Sequence, residues 1–283
     1  MASRTALHPP ETNGHTESGD VLSPRAEPVL MVEDLSYAFP NGHVALDRVS
    51  FTALPGERVA IVGPSGAGKS TLLMHLNGLL PDGLDKHRGA VVSAVRLEGE
   101  PISGGRLAEV RRKVGFLFQD PDDQLFCPTV REDVAFGPLN LGLSRAEIEM
   151  RIAESLAAVD LAGFDERSTL HLSVGERKRV CLAGVLACRP KVLALDEPSS
   201  NLDPRARRTL LRILADFPGT QILATHDLDL VIEHCNQVVV LDGGRVRATG
   251  RPDLILADEF LMDRHGLEVP LRLRVSSGMK KGG

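Results

Sequence analysis

Two apolar rhythms alternate along the chain. One is a short uninterrupted run: "RVAIVG" at 58–63, "KVLALDEP" at 191–198, "TQILATHD" at 220–227 and "QVVVLDGGRV" at 237–246. Runs of that length predict strands buried on both faces, as in a parallel sheet. The other rhythm spaces apolar residues three and four apart, as in "STLLMHLNGLL" (70–80), ended by Pro81 and Gly83, and in "SRAEIEMRIAESLAAV" (144–159). The second of these opens on Ser144 with Glu147 three positions on, a capping box. "HLSVGERKR" (171–179) opens a further helix in the same way, with Ser173 and Glu176. "GAVVSAVRLEG" and "KVGFLFQ" read as additional strands, and "VLMVEDLSYAF" and "HVALDRVSFTAL" near the start read as antiparallel strands. Helices falling between buried strands predict a parallel α/β core. The early antiparallel strands predict a side sheet, and residues of about 105–185, mostly helical, predict a helical subdomain inserted into the core. No internal repeat is visible.

Residues 1–27 are rich in Pro, Ser, Thr, Glu and Gly and are expected to be disordered, with His8 and His15 isolated among them. The last residues, "RVSSGMKKGG", read as a loose basic end. This leaves one folded domain over 28–265 and a C-terminal tail over 266–283. Hydrophobic residues make up 42% of the chain, enough for a sizeable core, and the net charge of −5 gives a nucleic-acid partner no support. Cys127, Cys181, Cys188 and Cys235 lack CxxC spacing, which fits a reducing compartment, and Cys181 and Cys188 suit small buried positions on one helix face. The longest apolar stretch, "VCLAGVLAC" at 180–188, is far below the roughly 18 residues of a membrane span. No apolar signal-peptide core is seen at the start. The expectation is a chain soluble by itself, carried to any membrane by other subunits.

"GPSGAGKST" fits GxxxxGK[ST] in full, after a strand and before a helix. Gly63, Pro64, Ser65, Gly66, Ala67, Gly68, Lys69, Ser70 and Thr71 then form a phosphate loop. Its glycines let backbone N–H groups curl around phosphate oxygens at a helix N-terminus. Lys69 brings a point charge to the β- and γ-phosphates of ATP, and the Ser70 hydroxyl ligates Mg2+. "VLALDEP" supplies the complementary acids: four apolar residues deliver Asp196 and Glu197 at a strand end, where open α/β sheets bind ligands. Asp196 is expected in the magnesium shell, and Glu197 is placed to orient or deprotonate an attacking water. This defines a P-loop NTPase core. His226, His234 and Cys235 are the nearest approach to a metal-ligand grouping, but the adjacent His234 and Cys235 splay apart on a helix.

"GPSGAGKST", the glutamine at 119, "LSVGE", "LALDEPSSNLD" and "THD" stand in the order of the ATP-binding cassette ATPases, and over residues 28–265 the chain resembles that family. The resemblance implies that Gln119 touches Mg2+ and the attacking water, that Asp203 lies at a dimer interface and that His226 contacts the γ-phosphate. It implies that Phe39 stacks on adenine, with Tyr37 on the same strand face as the competing candidate. It also implies a head-to-tail homodimer in which Ser173, Gly175 and Glu176 of one subunit face the γ-phosphate held by the other. The helix cap and the anion site are compatible readings of one helix start. "LSVGE" departs from the usual LSGGQ: Val174 replaces a glycine and Glu176 a glutamine, while Gly175 is kept. A carboxylate there opposes ATP unless it faces away.

"VGFLFQDPDDQLFCPTVREDVAFGPLNLGLS" (114–144) is similar to the ATPases of energy-coupling-factor transporters, with the cobalt or nickel type nearest, partly from "SYAFPNGHVALDRVSF". That resemblance implies an ATPase at the cytoplasmic face of the membrane beneath an integral T component and a substrate-binding membrane subunit. Cobalt is the expected cargo, with nickel or a vitamin as alternatives, and the ion need not touch this chain. It implies that Asp120, Asp122, Asp123 and Gln124 line a docking groove, with Leu125 and Phe126 packing against membrane helices. The alternative for "DPDDQ" is a solvated acidic turn.

Overall fold

The computed structural model describes residues 27–80 and 94–278. The expectations for residues 1–26, for His8 and His15, for Pro81 and Gly83, for the start of "GAVVSAVRLEG" and for residues 279–283 lie outside these described residues.

Strands β1 (Leu30–Ala38) and β2 (Val44–Ala53) pair antiparallel, Leu30 opposite Ala53, and with β4 (Val95–Leu97) and β5 (Glu100–Pro101) they form the side sheet in the order β2-β1-β4-β5. The main sheet combines β3 (Arg58–Val62), β6 (Val114–Leu117), β7 (Val192–Asp196), β8 (Thr220–Ala224), β9 (Gln237–Asp242) and β10 (Arg245–Gly250). Its order is β10-β9-β3-β8-β7-β6, parallel throughout except for the β9–β10 hairpin.

The unbroken apolar runs are explained by alternation across this sheet. In β7, Val192 and Ala194 enter the core shared with the side sheet, while Leu193 and Leu195 enter the core shared with the helices. Ile222 and Ala224 divide from Leu223 in the same way on β8. Both faces are covered, so a polar side chain is held inside only when paired, as Gln221 is with the Leu214 carbonyl at 2.8 Å, and the carboxylates Asp196 and Glu197 stand at a strand end. Helix α1 (Lys69–Leu76) sits between the two sheets, burying Leu72, Leu73 and Leu76.

Helices α3 (Val130–Asn140), α4 (Arg145–Ala158) and α5 (Val174–Ala187) pack together through Val134, Ile152, Leu156, Val180 and Leu182. Both capping boxes are present: Ser144 with Glu147 on α4 and Ser173 with Glu176 on α5. The helical layer is shorter than 105–185. Helix α2 (Leu107–Lys113) and β6 bury Val110, Val114 and Phe116 in the sheet core, so the layer begins after Leu117. Cys181 is buried in α5, while Cys188 ends that helix with its thiol directed to the Gly184 carbonyl at 3.7 Å.

Helices α6 (Pro204–Asp216), α7 (Leu228–His234), α8 (Pro252–Ile255) and α9 (Glu259–Arg264) complete the fold, together with α10 (Leu271–Gly278). The last is a correction: part of the expected C-terminal tail is helical, and Leu273 packs with Leu256 and Met262 beside β9. Among the described residues no helix is long and apolar enough to cross a membrane, and no cluster of His, Cys, Asp and Glu is arranged to hold a metal ion.

His234 ends α7 buried, its Nε2 3.0 Å from Gln221 Oε1. Burial, with Arg58 nearby, pushes its pKa down to about 4 from 6.5. The imidazole is therefore neutral in the fold and charges more readily in the unfolded chain. Its contribution is complete above pH 6.5 and is lost as the pH falls toward about 4, at a limit of about 1.4 kcal/mol per pH unit. A series of thermal unfolding curves is expected to show that slope, and His234→Gln is expected to flatten it.

Candidate active site

The phosphate loop begins where β3 runs out. Gly63 has φ +157°, and a Cβ there would meet the Leu241 carbonyl oxygen at 1.9 Å. Gly68, at φ +102°, has the Ala45 carbonyl oxygen 2.5 Å from where a Cβ would stand. Only glycine fits either position. Because Gly68 supplies no side-chain cap, the first amides of α1 are left to the loop, the setting in which a helix start binds an anion. Lys69 Nζ lies in the mouth of the loop, donating to the Gly63 carbonyl at 2.8 Å and the Pro64 carbonyl at 3.0 Å. Burial lowers its pKa, opposed by the charges of Glu197 and Asp196, which share the site.

Asp196 ends β7 at 5% exposure, and its Oδ1 is buried without a hydrogen-bond partner. Burial raises its pKa, while a hydrogen bond from the Ser70 hydroxyl works the other way. An orphaned carboxylate oxygen beside a hydroxyl is a hard, oxygen-only donor set, and it fits Mg2+. Gln119 lies two residues past the end of β6, the strand beside β7, and borders a cleft with Asp120, Val174 and Lys178. Gln119 is exposed.

Glu197 follows at φ +44°, a left-handed conformation unusual for a residue with a side chain. It is 8% exposed, and its Oε2 accepts from His226 Nδ1 at 2.8 Å, Thr225 Oγ1 at 3.3 Å and the His226 amide at 3.4 Å. The His226 ring itself stands outside, 71% exposed. A buried carboxylate is thus held by an imidazole that reaches solvent, a suitable pair for handling the proton of a water.

Phe39 lies half-buried in the turn after β1, with the His43 ring parallel to it at 6.3 Å. Tyr37 instead packs on the side-sheet core and against His75 at 4.8 Å, which favours Phe39 for stacking a base.

The elements of "LSVGE" are not brought to the same chain's phosphate loop. Ser173, Gly175, Glu176, Asn201 and Asp203 line a separate cleft that contains no phosphate-loop residue. Within it Glu176 Oε2 accepts from the Ser173 hydroxyl at 2.7 Å and the Ser173 amide at 2.8 Å. Those bonds lower the Glu176 pKa. Asp203 caps α6, accepting from the Arg205 and Ala206 amides at 2.8 and 2.9 Å. Gly175 has a duty inside its own chain that the sequence does not suggest. A Cβ there would lie 2.9 Å from the Ala206 Cβ, so Gly175→Asp would disturb α5–α6 packing as well as any facing phosphate.

The acidic turn splits between two surfaces. Asp120 and Asp122 border a cleft with Gln119, Val174 and Lys178, and Asp122 pairs with Arg177. Leu125 and Phe126 line an apolar groove on the other side, with Phe118 and Phe136, and Asp123 borders both. Gln124 also borders that groove but is tied inward, from the Phe118 amide at 3.2 Å and to the Cys181 carbonyl at 3.1 Å. Two residues escape sequence reasoning. Asp133 is buried and accepts from the Phe126 and Cys127 amides, fixing the loop that presents Phe126. Lys178 is buried at the foot of the Glu197 turn. Its position in an i, i+3, i+4, i+7 stripe with Cys181, Leu182 and Val185 marks it as inward-facing.

The family model described as ABC transporter matches residues 46–200. A Gloeobacter violaceus protein, named for the ATP-binding part of an ABC transporter without a substrate, is 51% identical over 86% of this chain and 98% of its own length. The energy-coupling factor transporter ATP-binding protein EcfA of Methanothermobacter thermautotrophicus is 44% identical over 86% of this chain and 77% of its own. The solved structure of cbiO1 from Clostridium perfringens, described as part of the ABC transporter complex cbiONQ, superposes with a TM-score of 0.72. It is 34% identical and covers 88% of this chain and 99% of that one. The chain belongs to the ABC transporter family and has its ATPase fold. Within that family it is an ATP-binding subunit that hydrolyses ATP to ADP and phosphate.

At neutral pH the buried charge of Asp196 costs stability, because its pKa is raised by burial. Asp196→Asn is therefore expected to raise the melting temperature without nucleotide, by about 2–4 °C per kcal/mol relieved. The same variant is expected to lose the Mg2+-dependent part of the stabilisation by ATP. Both are read from thermal shifts with ATP in EDTA and ATP in Mg2+.

Proposed function

We propose that Glu197 is the base of ATP hydrolysis, with Asp196, Ser70 and Gln119 holding Mg2+ and Lys69 holding the β- and γ-phosphates. The observation that carries this reading is the Glu197 carboxylate, fixed on His226 at 2.8 Å one residue beyond the orphaned oxygen of Asp196. When bound, Mg2+ would neutralise charge on the phosphate oxygens. Glu197 orients the attacking water and takes its proton, and His226, tethered to Glu197, reaches toward the γ-phosphate. Phe39 stacks on adenine. Because Ser173, Gly175 and Glu176 face outward, they serve a second copy's nucleotide, and ATP closes a head-to-tail homodimer with Asp203 at the seam. Glu197→Gln is expected to keep Mg–ATP affinity, to lose turnover by about 10²–10⁴-fold, and to run as a dimer on chromatography with Mg–ATP. Near-normal turnover in that variant would remove Glu197 from the role.

The relatives named EcfA and cbiO1 support an energy-coupling-factor transporter as the setting. In this reading the chain sits at the cytoplasmic face of the membrane, under an integral T component and a substrate-binding membrane subunit, and drives import of a transition-metal ion. Cobalt is the first candidate; nickel and vitamins are the others, separated by uptake of each labelled substrate in cells carrying the whole complex. The groove beside Gln124 suits a membrane subunit's helix. Phe126 and Phe136 meet edge-to-face at 4.7 Å there and are 65% and 48% exposed, with Leu139 exposed nearby. Phe126→Glu is expected to abolish co-purification with the membrane subunits and to cut uptake at least tenfold. ATP hydrolysis by the isolated protein is expected to stay within about twofold, since Phe126 lies outside the nucleotide site.

A further inference from the structure

Lys178 is the bulkiest fully buried side chain among the described residues, only 1% exposed, in the second turn of α5. Its ammonium reaches across to the turn that follows β7. There it donates to the Ser200 hydroxyl at 2.8 Å, the Ser200 carbonyl at 2.9 Å, the Glu197 carbonyl at 3.0 Å and the Pro198 carbonyl at 3.3 Å. Three N–H groups serve four acceptors, none of them a carboxylate oxygen. Burying an ammonium without a charged partner in contact is costly, and methionine would fill the same space without that cost.

What the ammonium holds is a strained segment. Glu197 and Asn201 both have positive φ, +44° and +60°, and between them the chain turns three carbonyls inward onto one point. Ser200 Oγ closes the cluster by donating to the Glu197 carbonyl at 2.9 Å. From this left-handed backbone the Glu197 carboxylate meets His226 Nδ1 at 2.8 Å. Strain of this kind persists only where surrounding contacts over-determine it. The same turn continues through Leu202 into Asp203, the cap of α6. The same helix α5 is capped, five residues before Lys178, by Ser173.

We propose that Lys178 is a positioning residue for Glu197. It clamps the Glu197–Ser200 turn in the conformation that aims the carboxylate, and it ties that turn to the helix whose first residues face a second subunit's nucleotide. A displacement of α5 at its N-terminus is thereby transmitted to the base of the subunit's own site. Each nucleotide site then senses whether the other is engaged, through one side chain inside each chain. By linkage the effect is reciprocal. This rests on Glu197 acting as the base.

The test compares Lys178→Met in two backgrounds, with soluble fraction and unfolding temperature recorded for each protein. In the otherwise wild-type chain, turnover at saturating Mg–ATP is expected to fall about 10- to 100-fold, the cost of misplacing a reacting group by an ångström. KM is expected to stay within threefold, because Lys69 and Ser70 are untouched. In the Glu197→Gln background, single-turnover hydrolysis is expected to show no further loss, since the group through which Lys178 acts is already removed. Ser200→Ala, which deletes one acceptor at a half-buried position, is expected to give the same pattern with a smaller loss, and it stands in if Lys178→Met does not fold. Turnover within twofold of wild type in either folded variant overturns the proposal, as does an equal proportional loss in both backgrounds. If Glu197→Gln alone keeps its turnover, the base assignment itself falls and the relay with it. If Glu197→Gln is inactive and Lys178→Met is not impaired, only the relay falls.

Discussion

A carboxylate oxygen sealed in the protein without a partner is the constraint around which this molecule is organised. Asp196 Oδ1 stands at the end of a five-residue strand whose every residue is buried. Burial has already pushed the Asp196 pKa upward, so the fold resists the charge that the position requires. The phosphate loop lies opposite because β3 and β7 flank β8 in one parallel sheet and end on the same side. The second carboxylate, Glu197, avoids the same isolation only through His226 and Thr225, both contributed by the end of β8. The end of β8 thus holds the Glu197 charge, while the Asp196 charge is left without such a partner.

The parts legible in the sequence are those where local chemistry leaves few options. Gly63 and Gly68 announce a loop because no side chain fits beside Leu241 or Ala45. Ser144 and Ser173 announce helix starts because a hydroxyl and a carboxylate three residues apart satisfy each other's donors. The strands show themselves because burial on both faces demands unbroken apolar runs. The less legible parts depend on long-range packing. Where the helical layer starts is not legible, because Val110 and Phe116 look the same in sequence whether they face helices or a sheet. Lys178 hides inside a basic run, "ERKR", where the charge of its neighbours suggests solvent. The pairing of Asp122 with Arg177, and the place of Asp123 between the cleft and the groove, cannot be read without knowing which way the 3-10 turn at Pro121–Asp123 rotates.

Helix α5 carries more of the molecule than its length suggests. Its start faces outward beside Asp203, its second turn holds the Glu197 segment, and its middle accepts Gln124 from the loop that borders the apolar groove. Gly175 presses against Ala206, so α5 and α6 approach each other too closely to slide independently. The outward cleft, the Glu197 turn and the groove surface therefore border one helix.

The cap formed by Glu176 has a kinetic and thermodynamic side. Its carboxylate already occupies the hydroxyl and amide of Ser173, at 2.7 and 2.8 Å. An anion arriving at this helix start does not meet free donors; it meets a tethered rival that is always present and never diffuses away. A rival fixed three residues along the same chain acts at high effective concentration, whatever the amount of protein in solution. Association at this face is an exchange of one anion for another, and its net driving force is the difference between two similar interactions. A contact built on such a difference is weak in net terms whatever the size of either interaction taken alone.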